Sequence, residues 1–255
     1  MKSAVLIVGL HAIYSHGRWY GPGRAGQEAF YEEHLRSAPA IAEEIGCDTI
    51  VVSGGYTRPD LPEVKQGLVV NSEADGAIEF IRDAGVDLRG RELVPDRFAR
   101  DSLENLHLGV LAARRACGEW PEAIGFLSFS FKLLRMYASA LGLGVADRFE
   151  FVPSGGMGGR EYESVICGEL RNLKDAVLPD MRDPLLRGES FRVKRAERTP
   201  AGLSEEEYQA RVKEAYAPNA ADPVDQSIRR WLDEIAALQP GQGWRDLQPP
   251  WATAP

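Results

Sequence analysis

Cysteine is scarce, with Cys47, Cys117 and Cys167 the only three in 255 residues. They lie far apart and form no CxxC or zinc-ligand spacing. Their odd number argues against a disulfide framework, so reduced thiols in a cytoplasmic protein are expected. Long apolar runs are also missing. Residues 3–10 are apolar, but that run is short and gives way to His11 and charged residues, unlike a signal peptide. No stretch approaches the roughly 20 apolar residues of a membrane helix, so no membrane partner is expected. Positive charge is in deficit: 30 Lys and Arg face 38 Asp and Glu, a formal net charge of −8. That argues against a nucleic-acid partner, while leaving room for a local basic pocket that takes an anionic small molecule.

Familiar catalytic signatures are absent too. There is no Walker sequence, no GxGxxG, no GxSxG and no HExxH. His11 and His16 share a loop with Tyr14, Ser15, Arg18 and Trp19, but no third ligand is placed beside them, so no metal is assigned. The loop aromatics Tyr14, Trp19 and Tyr20 read equally as a lid or substrate wall or as an anchor on the core or on a partner subunit.

What is present is ordinary globular composition, 44% hydrophobic and 27% charged. The length suits one generous domain, or one domain with an extension. AVLIVG over 4–9 is a continuous apolar run, the pattern of a strand buried on both faces, and DTIVVS over 48–53 reads as the second buried strand. Shorter strands are expected at 92–94, 124–128 and 149–153. Between them fall amphipathic segments at 26–45 (with a kink expected at Pro39), from Ser72 to Gly85, from Asp101-Ser102 to Gly118, and at 131–141. Alternating strands and helices predict an α/β fold: a Rossmann-like parallel sheet of about five strands flanked by helices. That domain is placed at 1–159. Residues 160–255 are read as a mainly helical C-terminal extension packed on it, with helices near 160–178, 204–215 and 222–238.

In such sheets ligands bind beyond the carboxyl ends of the strands, and His11, Ser53-Gly54-Gly55, Asp101-Ser102 and Ser128 to Lys132 cluster there. Ser53, Gly54 and Gly55 follow the second strand, where glycine backbone could approach a phosphate or carboxylate; a plain turn is the alternative. Glu73 opens a helix, as a base, a ribose ligand or a dipole-stabilising carboxylate. Arg100-Asp101-Ser102-Leu103-Glu104-Asn105 carries more polar groups than a cap needs. Ser102 reads as an N-cap or a ligand contact, Glu104 as a solvated helix face, and Asn105 could face the cleft one turn in. Ser128 to Arg135 follows the fourth strand, and there Lys132 and Arg135 make a local anion site or an ordinary exposed pair. His34 and His107 are read as surface or core-edge residues.

Together these segments resemble the YdcF, SanA and ElyC family, a domain of unknown function. Its pattern has SGG after the second strand, then Ser-Glu-Ala, then S-x-N-T-x-E-N, then T-S-x-Y-H-M-x-R-A after a later strand. The matches are Ser53-Gly54-Gly55, Ser72-Glu73-Ala74, Asp101 through Asn105, and Ser128 through Arg135, in order over about residues 3–153. Departures matter for the chemistry: Lys132 stands for the family's histidine, Leu133 for methionine and Asp101 for asparagine. The resemblance implies a Rossmann-like fold, S-adenosylmethionine binding in one branch and envelope biogenesis in membrane-anchored branches. The last is not expected to carry over.

The reading that follows is a cytoplasmic enzyme acting on a nucleotide-type or anionic small-molecule substrate, with S-adenosylmethionine as candidate cofactor. Glu73, Asp101 and Lys132 are the catalytic candidates. His11, Ser53, Gly54, Gly55, Ser102, Asn105, Ser128 and Arg135 are the ligand-binding candidates. The alternatives are a phosphoester hydrolase or transferase, with Glu73 or Asp101 as base and a metal near His11 and His16, and a non-catalytic metabolite-binding module. A homo-oligomer is compatible with either.

Overall fold

A computed structural model describes residues 4–21, 26–154, 189–237 and 248–252. The first apolar run forms β1 (Ala4–Gly9), buried along nearly its whole length because it is the centre strand. The other sheet strands are β4 (Thr49–Ser53), β5 (Glu92–Asp96), β6 (Ala123–Phe129) and β7 (Phe149–Ser154), in the order β5-β4-β1-β6-β7. Every pairing is parallel. The fold is therefore the expected Rossmann-like α/β sheet. Its strand order reverses between β1 and β6, which opens a crevice at their carboxyl ends.

Alternate residues of β1 feed two cores. Leu6 and Val8 pack with α1 (Glu28–Glu44) and α3 (Glu73–Asp83) on one face. Val5 and Ile7 pack with α4 (Ser102–Cys117) and α5 (Leu133–Gly142) on the other. The short α2 (Pro62–Lys65) lies in the connection between β4 and α3. Pro39, expected to kink this helix, lies inside α1, which runs unbroken from Glu28 to Glu44.

The aromatic loop after β1 forms an antiparallel hairpin, β2 (Ile13–Ser15) and β3 (Arg18–Tyr20). Tyr14 and Trp19 pack edge and face on Phe80 and Tyr31, with ring centroids 5.3–5.7 Å apart. The hairpin sits so close to α3 that a Cβ on Gly76 would stand 2.6 Å from the Tyr14 backbone. Of the two readings of these aromatics, the core anchor is the one seen.

The C-terminal part contributes α6 (Glu189–Glu197), α7 (Glu205–Tyr216) and α8 (Pro223–Ala237). Tyr208, Val212, Tyr216, Ile228, Trp231 and Leu232 are buried in the same cluster as the α4 side chains. Trp251 packs on Trp120 and Trp231 and donates its indole N–H to Leu143 O at 2.9 Å. The helix expected near 160–178, the glycine loop over 155–159 and Cys167 lie outside the described residues. Among the described residues no helix is long and apolar enough to cross a membrane.

Candidate functional site

A cavity of about 180 Å³ lies at the carboxyl edge of the sheet, where the strand order reverses. Leu10 and His11 reach it from the end of β1, and Thr57 from the segment after β4. Glu73 comes from the first turn of α3. Asp101, Ser102 and Asn105 come from the start of α4, with Arg100 just before it. Phe131, Lys132 and Arg135 follow β6. Lys194 and Arg198 arrive from α6 and the turn after it. Among the described residues, five cations and two carboxylates thus line one small cavity in an acidic protein.

Glu73 is the central group. Ser72 caps α3 by accepting from Asp75 N, so the Glu73 side chain is not needed as a cap. It is 1% exposed and accepts a hydrogen bond from Thr57 Oγ1. Burial pushes its carboxyl up to about 7, against the Thr57 bond and the nearby Arg198, Lys132 and Arg58 charges. His11 Nδ1 stands 3.9 Å from Glu73 Oε1. Desolvation, then the Lys132, Arg198 and Arg58 charges, hold His11 well below its ordinary pKa, although 42% of its side-chain area remains accessible. Near neutral pH the pair is therefore a neutral imidazole beside a carboxyl poised between its two forms.

Asp101 is committed differently. Its Oδ1 accepts from Leu103 N and Glu104 N, making it the N-cap of α4, and its Oδ2 accepts from Arg195 Nε at 2.7 Å. These partners hold it ionised, well below the usual carboxylate range, so it is a poor base and its catalytic assignment gives way to Glu73. Ser102 is the first helical residue and lines the cavity; it does not cap. Glu104, expected on a solvated face, is buried against Arg100, with Oε1 2.8 Å from Nη2. Arg100 also binds Glu205 at 2.6 Å, and its guanidinium lies over the Tyr208 ring at 3.9 Å. It is a strut between α4 and α7 that also faces the cavity.

Four ligand-binding assignments are corrected. Gly54 N and Gly55 N donate to Asp96 O and Ala99 O, while their carbonyls accept from Ala74 N and Glu73 N. No backbone group of either is left for a ligand. What the glycines provide is clearance, since a Cβ on Gly54 would stand 2.4 Å from Glu73 Oε2. Ser53 is buried and donates to Asp96 Oδ2 at 2.6 Å; Asp96 Oδ1 in turn accepts from Tyr216 at 2.5 Å. Ser128 is buried and does not line the cavity.

His16 sits in the β2–β3 turn, where its backbone N–H donates to Glu79, rather than beside His11 at the cavity. Among the described residues no three His, Cys, Asp or Glu side chains are grouped to hold an ion. His34 and His107, read as surface or core-edge residues, are both buried.

The reading from sequence missed Thr57, Lys194, Arg195 and Arg198. The run Arg-Val-Lys-Arg-Ala-Glu-Arg at 192–198, strongly basic within an acidic chain, was the available signal for the last three. Arg198 Nη1 donates to Arg100 O at 2.6 Å, and among the described residues no carboxylate is within ion-pair distance of it. Burial pulls its pKa down, opposed by Glu73 and Asp101. Compared with known proteins, the chain matches no family model, no curated protein and no solved structure.

Proposed function

We propose that the protein is an enzyme acting on a small anionic metabolite, with Glu73 as its general acid–base. The observation that carries this is a buried carboxyl with a pKa of about 7 facing Arg198, Lys132, Arg135 and Lys194 in one cavity. A titratable group tuned to neutrality in a cleft is suited to proton transfer. The cations hold the anionic group through charge-assisted hydrogen bonds, and Thr57 fixes the carboxyl. Asn105 and Ser102 supply neutral contacts, and His11 relays or accepts the proton at its accessible edge.

The charge balance supports a phosphoryl or carboxylate substrate over S-adenosylmethionine. A sulfonium would face the same cations, and about 180 Å³ falls below the roughly 300 Å³ of usual ligand pockets. The YdcF-like relationship belongs to the same proposal. Lys132, where that family carries histidine, serves as an anion contact rather than a proton carrier.

The test is a panel of phosphomonoesters and small carboxylates, followed for product formation and for binding by calorimetry. The result expected is turnover lost in Glu73→Gln with binding kept, and binding weakened at least about tenfold in Arg198→Ala. Binding without turnover of any compound would leave a metabolite-binding module. Full turnover in Glu73→Gln would remove Glu73 from the chemistry.

A further inference from the structure

Arg198 reaches the cavity from the turn after α6, and the chain there is placed by polar contacts. Over residues 192–199 the two apolar side chains, Val193 and Ala196, are both exposed. With no apolar face packed along this stretch, its position depends on hydrogen bonds and ion pairs. Arg195 makes two of these contacts. Its Nε donates to Asp101 Oδ2 at 2.7 Å and stands 3.6 Å from Glu104 Oε1, and both carboxylates are buried at the start of α4. Arg195 does not itself line the cavity. It is tied to a residue that does, because Arg198 N donates to Arg195 O at 3.1 Å, and positions three apart on a helical turn share a face. Arg198 Nη1 donates in turn to Arg100 O, and Arg100 Nη1 donates to Thr199 Oγ1 at 2.9 Å.

We propose that Arg195 is a positioning residue: by binding Asp101 it docks α6 against the start of α4, and so holds Arg198 in the cavity with Glu73. This rests on the reading of Glu73 above and names the contact that governs it from another part of the chain. Asp101 then serves as the receptor for α6 rather than as a base. Glu73 faces His11 from the end of β1, Tyr31 from α1, Thr57 and Arg58 from the segment after β4, Lys132 from the segment after β6, and Arg198. Of the three cations, Arg198 does most to favour the ionised carboxyl. Loss of the Arg195 anchor lets Arg198 withdraw, which raises the Glu73 pKa although Arg195 never touches that residue.

The experiment follows the Glu73 carboxyl by carbon NMR in the full chain, in the unsubstituted protein, Arg195→Met, Arg198→Met and the double variant. Arg195→Met should raise the Glu73 pKa by at least about half a unit, and Arg198→Met by at least as much. In the Arg198→Met background, Arg195→Met should add less than about half of the rise it gives alone, because the cation it positions is already gone. Arg195→Gln, which keeps a donor at the place of Nε but not the charge, serves if the methionine variant fails to fold by circular dichroism, with a rise in the same direction. An unchanged Glu73 pKa in a folded Arg195 variant would overturn the positioning role while the reading of Glu73 stands. A rise that is undiminished in the Arg198→Met background would also overturn it, since Arg195 would then act by its own charge. A value near 4.5 in the unsubstituted protein would remove the reading of Glu73 and this inference with it.

Discussion

Replacing Glu73 by glutamine should make the protein more stable at pH 8 and change little at pH 5. The carboxyl is moved from an ordinary value of 4.5 to about 7 by burial. Between those two values the folded protein holds a proton that the unfolded chain has released. Stability from this group is therefore full at low pH, falls as pH rises through the window, and is flat above about pH 7. At about 1.4 kcal/mol per unit, the shift implies about 3 kcal/mol in all, of which about 2 to 3 kcal/mol falls between pH 5 and pH 8. Glutamine keeps the shape and an acceptor for Thr57 but does not titrate. Asp96, raised to about 6, titrates in both proteins and cancels. The assay is urea unfolding of both proteins at half-unit steps from pH 5 to pH 8, read as the difference in unfolding free energy. A difference that does not change with pH would mean that Glu73 is ionised throughout, and the acid–base role would be lost.

Three further perturbations follow from the packing. Gly54→Ala places a methyl group 2.4 Å from Glu73 Oε2 and 2.7 Å from its Cβ, so urea unfolding should show a loss of about 1–3 kcal/mol; unchanged stability would contradict the close packing. Tyr216→Phe removes the donor to Asp96 Oδ1 and should cost about 1–3 kcal/mol while raising the Asp96 pKa further above 6, measurable by carbon NMR of the carboxyl. Arg100→Met leaves Glu104 buried without its main partner. It should cost about 3–5 kcal/mol in urea unfolding, and Glu104→Gln in the same chain should recover part of the loss; additive losses would contradict the pairing.

The sheet was legible because β1 and β4 carry short apolar runs, AVLIVG at 4–9 and IVV at 50–52, and because strand-like and helix-like segments alternate along the chain. The hairpin at 13–20 was not, because its two three-residue strands carry no alternating pattern and are held by packing on α3 rather than by their own propensity. Asn105, Lys132 and Arg135 could be placed at the cavity from sequence because each falls in the first turns of chain after a strand, whereas Glu73 follows β4 by about twenty residues and stood out only as a carboxylate that opens a helix. Ser53, Gly54 and Gly55 occupy an equally favoured place, yet their polar groups are spent on Asp96, Ala99 and the start of α3. Local sequence does not show where a hydrogen bond goes when its partner is about twenty to forty residues away. The same limit hid Arg198, which reaches the cavity from a part of the chain roughly a hundred residues beyond α4.

The most direct measurement is the pKa of Glu73 itself, followed by carbon NMR with and without sulfate, a dianion that does not titrate in this range. The result expected is a value near 7 without sulfate, rising by at least about half a unit when sulfate occupies the cationic cavity. A value near 4.5 that ignores sulfate would contradict both the poised carboxyl and the anion site beside it.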